Sequence, residues 1–423
     1  MASDHQLAVS GSHRRFVGRK REVAELQVAL DDAIAGRGRL ILISGEPGIG
    51  KTRLSEEISA EAASRGWPII IFGHVLGVYK DSLINRVIAI MAKHGIATIG
   101  INAVGHGWGP LSTIDIVKHG NTVVTLPAPG RAVDQNGDGF FYGFEGFYST
   151  GPVQVASRDA QIQTAADMMQ LVREIETGMD ADGDGAADFD PSRIYYLGVS
   201  QGGDYGTLFL ADEPDVRVGV LNVPAGPVLD ELRLTPDHST FASILEGTGL
   251  LNGPNGTYID NIPFRDQPPL IDSTPGADAI QALVDGGEWI DASGESIAWA
   301  QHLRSQPLGG VPQKAVIIQF DKGDQSVPNP ITSSLIRGGA LTDRTTYFCN
   351  DLFAAASPDD HFDDPHVFMV HCCSPATRQI AIDAQEQAAT FFQSDGLSTI
   401  NPDPAYFEVP IAGPLPEELN FLP

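Results

Sequence analysis

The residues best suited to do chemistry lie between Ile194 and Gly203, where a short apolar run leads directly into Gly198-Val199-Ser200-Gln201-Gly202. Gly-x-Ser-x-Gly between a strand and a helix is the pattern of a nucleophile elbow, a tight turn that holds a serine hydroxyl clear of a sheet. Glycines flank the serine because larger side chains would collide with the neighbouring strand and helix. The motif is weakly specific in a chain with 46 glycines, so the interpretation depends on partners for Ser200 elsewhere.

From Pro68 onward, apolar runs alternate with amphipathic stretches, as in a parallel sheet with crossover helices. Strands are predicted over 68–72, 96–101, 194–199, 216–223 and 314–320. Helices are predicted over 82–94, 159–177, 331–338 and 375–392. Residues 111–157 look loop-rich, and residues 227–312 lose the alternation. The fold class expected is therefore α/β.

With its elbow, the stretch of about 68–395 resembles the α/β-hydrolase family, in particular bacterial serine esterases and lipases. Its first strand ends in Gly73-His74-Val75-Leu76-Gly77, where that family has His-Gly-x and obtains one N–H of its oxyanion hole. The resemblance implies that Leu76 and Gln201 donate the two N–H groups. Val75 stands where the family usually has glycine, and a valine would be strained there if the backbone needed a positive φ. The resemblance also implies that 227–312 forms a lid-like insertion, with a surface excursion as the alternative.

The same resemblance implies the acid of a catalytic triad. The strand predicted over 314–320 leads to Asp321 and then to Gly323-Asp324-Gln325-Ser326-Val327-Pro328. The family places its triad acid on a turn of this kind, which favours Asp324 over Asp321.

Three histidines follow in the window where the family has its base: His361, His366 and His371. His366 resembles the family's arrangement before the last helix and is preferred, with His361 second. The order Ser200, Asp324, His366 is the chain order of these hydrolases. The implied reaction is cleavage of a carboxylic ester, from a small molecule or a lipid, through an acyl-enzyme. The alternatives are an ATP-binding regulatory protein and a catalytically inactive hydrolase fold used for binding.

Residues 14–66 carry a different motif. A predicted strand at 39–44 leads into Gly-Glu-Pro-Gly-Ile-Gly-Lys-Thr, and a helix follows to about residue 65. In such a Walker A loop, backbone N–H groups wrap a phosphate, the lysine meets its outer oxygens and the threonine holds Mg²⁺. The residues concerned are Gly45, Gly48, Gly50, Lys51 and Thr52.

Together with Phe16-Val17-Gly18-Arg19, the Walker A segment resembles the start of the AAA/STAND ATPase module of LuxR-type regulators. We find no acidic residue at the end of a second strand, which ATP turnover with Mg²⁺ would need. We therefore expect a truncated module over 1–66, preceding a hydrolase domain over 67–423, that binds phosphate weakly. The alternative, a β–α unit serving the neighbouring sheet, stays open.

Two acidic, glycine-containing loops have side-chain oxygens at alternate positions, as Ca²⁺-binding loops do. The first contains Asp134, Asn136, Asp138 and Glu145, and the second contains Asp180, Asp182, Asp184 and Asp188. Carboxylates this close repel one another unless a cation lies among them, so structural Ca²⁺ is favoured over solvated turns. The second loop lies at the start of the elbow strand and Ser200 lies at its end, about 20 Å away at the usual rise of a strand. Ca²⁺ in that loop would therefore not take part in the chemistry.

Charge and cysteine content narrow the functional classes. The chain of 423 residues has a formal charge of −27, which argues against a nucleic-acid partner. The three cysteines, Cys349, Cys372 and Cys373, are too few for a disulfide framework, so free thiols are expected, with one disulfide through Cys349 as the alternative.

Residues 1–21 lack the apolar core of a signal peptide, and no apolar run is long enough to span a membrane. We expect a cytoplasmic protein, with a secreted origin of the hydrolase part as the alternative.

Overall fold

The computed structural model describes residues 21–26, 28, 66–135, 137–141, 145–147, 153–181, 183–237, 239–247, 277–371, 374–419 and 421. The chain divides into two compact units, 1–64 and 65–423. In the first, residues 21–26 are helical. The five Walker A residues singled out above lie outside the described residues.

The second unit contains a seven-stranded sheet and a separate two-stranded hairpin. In chain order the strands are β1 (Trp67–Gly73), β2 (Ala97–Gly100), β3 (Thr113–Val117), β4 (Val123–Pro127), β5 (Phe189–Val199), β6 (Val218–Asn222), β7 (Ala315–Asp321), β8 (Thr345–Phe348) and β9 (Phe407–Glu408). The sheet has the order β2-β1-β5-β6-β7-β8-β9. All its neighbours pair in parallel except β9, which runs antiparallel to β8. Strands β3 and β4 form the hairpin.

Ten α-helices are described in this unit. They are α1 (Lys80–Lys93), α2 (Val153–Glu176), α3 (Gln201–Asp212), α4 (Val228–Leu234), α5 (Ser239–Gly247), α6 (Ala277–Asp291), α7 (Ser296–Leu303), α8 (Asn329–Gly338), α9 (Asn350–Ala356) and α10 (Pro375–Gln393). None of the helices in the described part of the chain combines the length and apolarity needed to span a membrane.

Helices cover both faces of the large sheet. Alternate residues of a strand point to opposite faces, and β1 is apolar at successive positions because both of its faces are buried. Ile69 and Ile71 belong to a core shared with α2, α3, α7 and α8, whereas Ile70 and Phe72 belong to a core shared with α1 and α10. This three-layer α/β architecture, with the elbow at the end of the inner strand β5, is the predicted α/β-hydrolase sheet.

Two stretches contain more regular structure than the sequence indicated. The loop-rich region 111–157 includes the β3–β4 hairpin, whose strand residues are largely exposed. The insertion 227–312 includes four helices, α4 to α7, of which α4, α5 and α6 share a small core of Leu229, Phe241, Leu245 and Val284. Neither stretch repeats the alternation of buried strands and crossover helices on which the sequence prediction depends.

Candidate active site

Ser200 lies at the sharp turn between β5 and α3, with φ 55° and ψ −124°. A non-glycine residue rarely adopts a positive φ, so this turn is strained and depends on the packing around it. That packing leaves no space beside the serine. A Cβ built on Gly198 would lie under 3.0 Å from the carbonyl oxygen of Gly202, and one built on Gly202 would lie equally close to that of Gly73.

His366 joins Ser200 to Asp324 in one line of hydrogen bonds. Its Nε2 lies 2.8 Å from Ser200 Oγ and its Nδ1 lies 2.8 Å from Asp324 Oδ2. The other oxygen of Asp324 accepts hydrogen bonds from the backbone N–H groups of Ser326 and Val327, at 2.9 and 2.7 Å. Because an ionised carboxylate can only accept, Nδ1 carries the proton and Nε2 is free to accept the serine hydroxyl. This is the tautomer that a general base at Ser200 requires.

The charges around His366 favour its protonated form. Burial lowers the pKa of His366, but the charge and hydrogen bond of Asp324 raise it, and so do the charges of Asp364 and Asp204. The net result is a pKa above the ordinary value of 6.5. Burial raises the pKa of Asp324, and His366 opposes that effect.

A pH profile follows from this balance. His366 must be neutral to accept a proton, so kcat/KM for an ester should fall as the pH drops through the pKa of His366, with a midpoint above 6.5. Asp364→Asn removes one charge that raises this pKa and should shift the midpoint to lower pH. The measurement is kcat/KM for a p-nitrophenyl ester from about pH 5 to about pH 9. A wild-type midpoint at or below 6.5, or no shift in the variant, would contradict the expectation.

Asp321, the second candidate acid, is placed differently. Its side chain is fully buried, and neither carboxyl oxygen has a hydrogen-bond partner within the described residues. Burial raises its pKa well above the usual value, and the charge of Asp324 adds to the shift. Burial therefore favours the uncharged form of the Asp321 carboxyl group.

The other two histidines have partners of their own. His361 Nε2 lies 3.7 Å from Asp363 Oδ1. The His371 ring packs edge-on against Phe362, with 4.9 Å between ring centroids. The structure thus brings Ser200, Asp324 and His366 together and gives His361 and His371 other contacts.

The segments expected to form the oxyanion hole adjoin the elbow. Strand β1 pairs with β5 so that Gly73 faces Gly198, which places the loop after β1 beside Ser200. Val75 is not among the residues with positive φ, whereas Gly77 has φ 76°, so the valine is not strained. Gln201 is the first residue of α3, where a backbone N–H has no acceptor within the helix. Leu76 lies in the loop with its side chain 37% exposed.

His74 holds this loop in place, although the sequence predicts no role for it. Its Nε2 accepts the backbone N–H of Ala103 at 3.0 Å, so its Nδ1 donates to the carbonyl of Val75 at 2.9 Å. Burial lowers the pKa of His74 to about 3, which keeps the ring neutral. The hydroxyl of Tyr205 donates to the carbonyl of His74 at 3.0 Å. His74 therefore fixes the loop that carries Leu76.

Asp204 is a further residue of the site without a signal in the sequence. It lies one turn into α3, and its Oδ1 accepts the backbone N–H of Ala225 at 2.6 Å. Burial raises its pKa to about 7. The hydrogen bond ties α3, the helix that follows Ser200, to the segment after β6.

In the two acidic loops the leading aspartates bind backbone N–H groups. Asp134 accepts from Gly137 and Gly139, at 2.7 and 2.9 Å, and Asp180 accepts from Gly183 and Gly185, at 2.6 and 2.7 Å. The remaining described acids likewise accept backbone N–H groups: Asp138 from Phe140, Glu145 from Gln135, Asp184 from Ala186 and Asp188 from Ala181. Asn136 and Asp182 lie outside the described residues. Among the residues that are described, no three His, Cys, Asp or Glu side chains form a group able to hold a metal ion, and Ca²⁺ binding stays a prediction.

Comparison with known proteins identifies similarities to both parts of the chain. The family model of the AAA ATPase domain matches residues 15–99, a stretch that contains the Walker A motif and continues through β1 and α1 into β2. No curated protein matches the chain.

Three solved structures illustrate the similarity of the second part. A puromycin-hydrolysing peptidase of Mycobacterium tuberculosis has 11% identity and a TM-score of 0.40, over 79% of this chain and 37% of that one. An α/β hydrolase of Penicillium sp. sh18 has 13% identity and a TM-score of 0.32, over 65% and 78% of the two chains. Acetyl xylan esterase 1 of Thermoanaerobacterium sp. JW/SL YS485 has 13% identity and a TM-score of 0.33, over 65% and 64%. The aligned part thus spans 37% of the peptidase and 64% of the esterase. By its own strand order and elbow, the chain has an α/β-hydrolase fold, and it begins with a segment similar to the AAA ATPase domain.

Proposed function

We propose that this protein is a serine hydrolase that cleaves carboxylic esters, of small molecules or lipids, through an acyl-enzyme. The observation that carries the proposal is the hydrogen-bonded line from Asp324 through His366 to Ser200, with both distances at 2.8 Å. A serine without a base is a weak nucleophile, and this arrangement activates it.

In the proposed reaction His366 Nε2 takes the proton of Ser200 as Oγ attacks the ester carbonyl. Asp324 stabilises the imidazolium that forms. The backbone N–H groups of Leu76 and Gln201 stabilise the negative oxygen of the tetrahedral intermediate. His366 then protonates the departing alcohol, which leaves Ser200 acylated. Water, deprotonated by His366, attacks the acyl group, and the acid departs as the proton returns to Ser200.

A covalent probe and ester turnover test the proposal together. A fluorophosphonate should label the wild type at Ser200, as located by peptide mass spectrometry, and the wild type should hydrolyse p-nitrophenyl esters of graded acyl length. Ser200→Ala, the control, should do neither. Turnover unchanged in Ser200→Ala would overturn the triad, whereas a wild type that neither reacts nor turns over would favour a binding protein.

Nucleotide binding is a second candidate function, which the match to the AAA ATPase domain over 15–99 supports. The proposed ester hydrolysis needs neither ATP nor Mg²⁺, so Lys51→Ala serves as a further control in the same assay and should hydrolyse esters as the wild type does. An ATP-stimulated ester hydrolysis that Lys51→Ala abolishes would show that the two segments act together. Structural Ca²⁺ in the two acidic loops remains part of the proposal, without a catalytic role.

A further inference from the structure

The carboxyl group of Asp364 lies between the turn that carries Asp324 and the loop that carries His366. Its Oδ1 accepts the backbone N–H of Gln325 at 3.1 Å and that of His366 at 3.2 Å. Its Oδ2 accepts the hydroxyl of Ser326 at 3.1 Å. These three hydrogen bonds form a bridge, because one carboxyl group receives donors both from the turn and from the loop.

The local sequence explains how Asp364 can serve both segments. Asp364 precedes Pro365, and the residue before a proline is biased towards extended backbone. An aspartate in a turn can accept the N–H two residues ahead, here that of His366, in an Asx turn. A carboxylate has about four acceptor positions on its two oxygens. The Asx turn therefore leaves acceptor positions for the N–H of Gln325 and the hydroxyl of Ser326.

Aromatic residues anchor the loop on either side of Asp364. Phe362 and Phe368 are buried, and their rings pack against Phe348 of β8, with 5.6 and 5.3 Å between ring centroids. Asp364 itself is exposed. The two anchors hold the ends of this segment against the sheet, whereas the position of His366 between them depends on contacts made within the segment.

We propose that Asp364 is a positioning residue, which holds the loop of His366 against the turn of Asp324. The bridge keeps the imidazole within hydrogen-bond reach of Asp324 on one side and Ser200 on the other, each at 2.8 Å. Proton transfer in a triad needs distances of this kind, and a displacement of about 1 Å can lower a rate about 10²-fold. The inference rests on the proposed function, because the bridge positions the base of the same triad.

Asp364 acts on His366 through its charge as well as through the bridge, and two substitutions separate these effects. Its negative charge raises the pKa of His366, as do the charge and the hydrogen bond of Asp324. Asp364→Asn removes the charge but keeps an Oδ1 that can accept both backbone N–H groups, while its NH₂ group can donate to the hydroxyl oxygen of Ser326. Asp364→Ala removes the charge and the bridge together. The difference between the two variants therefore measures the bridge.

Steady-state hydrolysis of a p-nitrophenyl ester provides the first test, with kcat taken from the plateau of the pH profile, where His366 is neutral. Asp364→Asn should keep kcat within about threefold of the wild type, because its oxygen preserves the bridge. Asp364→Ala should lower kcat at least about tenfold below Asp364→Asn, with KM within about twofold, since no contact with the substrate is removed. Both variants should melt close to the wild type, because Phe362 and Phe368 still anchor the loop. A smaller difference in kcat between the variants would overturn the proposal, as would a loss that appears in KM.

Titration of His366 by NMR tests the bridge without any substrate, and a His366→Gln variant assigns the imidazole signal by its absence. In Asp364→Asn the pKa of His366 should fall because a negative charge is lost. In Asp364→Ala it should fall further, towards the ordinary value of 6.5, because the contact with Asp324 also loosens. Equal pKa values in the two variants would mean that this contact does not need Asp364, which would overturn the proposal. If the wild type hydrolyses no ester, the proposed function fails, whereas the titration still decides the role of Asp364.

Asp363→Ala is the matched control, since it removes one negative charge at the neighbouring position. The side chain of Asp363 is fully exposed, with its Oδ1 3.7 Å from Nε2 of His361. Its contact with the turn is made by the backbone carbonyl, which accepts Nε2 of Gln325 at 2.7 Å and which alanine retains. Both kcat and the pKa of His366 should therefore stay close to the wild type. A loss of kcat as large as that of Asp364→Ala would overturn the proposal, because any change in the loop would then have the same effect.

Discussion

Replacement of Asp324 by asparagine should lower kcat/KM for an ester about 10⁴-fold, because the neutral amide no longer imposes the useful tautomer on His366. In the wild type the Asp324 carboxylate accepts the proton of His366 Nδ1. An asparagine can present its NH₂ group there instead, which moves the imidazole proton to Nε2 and leaves no base for Ser200. The volume and the backbone are unchanged, so the loss should appear in kcat far more than in the melting temperature.

Asp321→Asn is the matched control, since it is the same substitution three residues earlier, at the last residue of β7. Asp321 has no hydrogen-bond partner among the described residues, and its burial together with the charge of Asp324 raises its pKa, which favours the uncharged form. Asparagine is uncharged and of nearly the same shape, so kcat/KM should stay within about threefold of the wild type. Because a pKa raised on folding lowers stability as the pH rises, the variant should also melt at a higher temperature than the wild type at about pH 8, with a smaller difference at about pH 4.

Steady-state kinetics and thermal melting of the two variants distinguish the two acids. A large loss of activity in Asp321→Asn with little change in Asp324→Asn would assign the triad acid to Asp321. Equal losses in both would indicate that the turn as a whole, not one carboxylate, determines activity.

The parts that sequence reasoning predicted share a strong local signal. The sequence predicts β1 over 68–72 and β7 over 314–320, and each end lies within one residue of the end that the structure shows. The agreement is close because buried parallel strands are apolar at successive positions. The turns after β5 and β7 follow directly from glycine and proline in the sequence. Those turns determine where Ser200 and Asp324 lie.

What could not be predicted depends on contacts between distant residues. Strands β3 and β4 are mostly exposed, so they have no one-sided apolar pattern to reveal them. His74 reads as one residue of a His-Gly-like motif, but its role comes from Ala103, in the loop after the next strand. The raised pKa of Asp321 is invisible in the sequence too, because an acidic residue normally lies in solvent. Burial, which follows from the tertiary fold, gives these groups their properties.

The close approach of β1 to the nucleophile helix leads to the largest stability effect that we expect. In Gly202→Ala the new Cβ would lie under 3.0 Å from the carbonyl carbon and oxygen of Gly73, and 3.1 Å from its Cα. Backbone on a central strand cannot move aside as a flexible side chain can. The strand and the helix would have to separate at the point where the elbow and the oxyanion loop meet. We expect a loss of stability of at least about 3 kcal/mol, together with a loss of activity that cooling does not restore.

Gly286→Ala is the matched control for this prediction, because the same methyl group is added within helix α6, where a Cβ would meet nothing within 4 Å. There alanine should stabilise the protein by about 0.5–1 kcal/mol, since glycine loses more backbone entropy on folding. Urea unfolding of both variants, with ester turnover measured alongside, compares the two signs directly. Destabilisation of Gly202→Ala no greater than about 1 kcal/mol would mean that β1 and α3 are not in contact at the elbow. The position of the oxyanion loop beside Ser200, on which the proposed mechanism depends, would then be wrong as well.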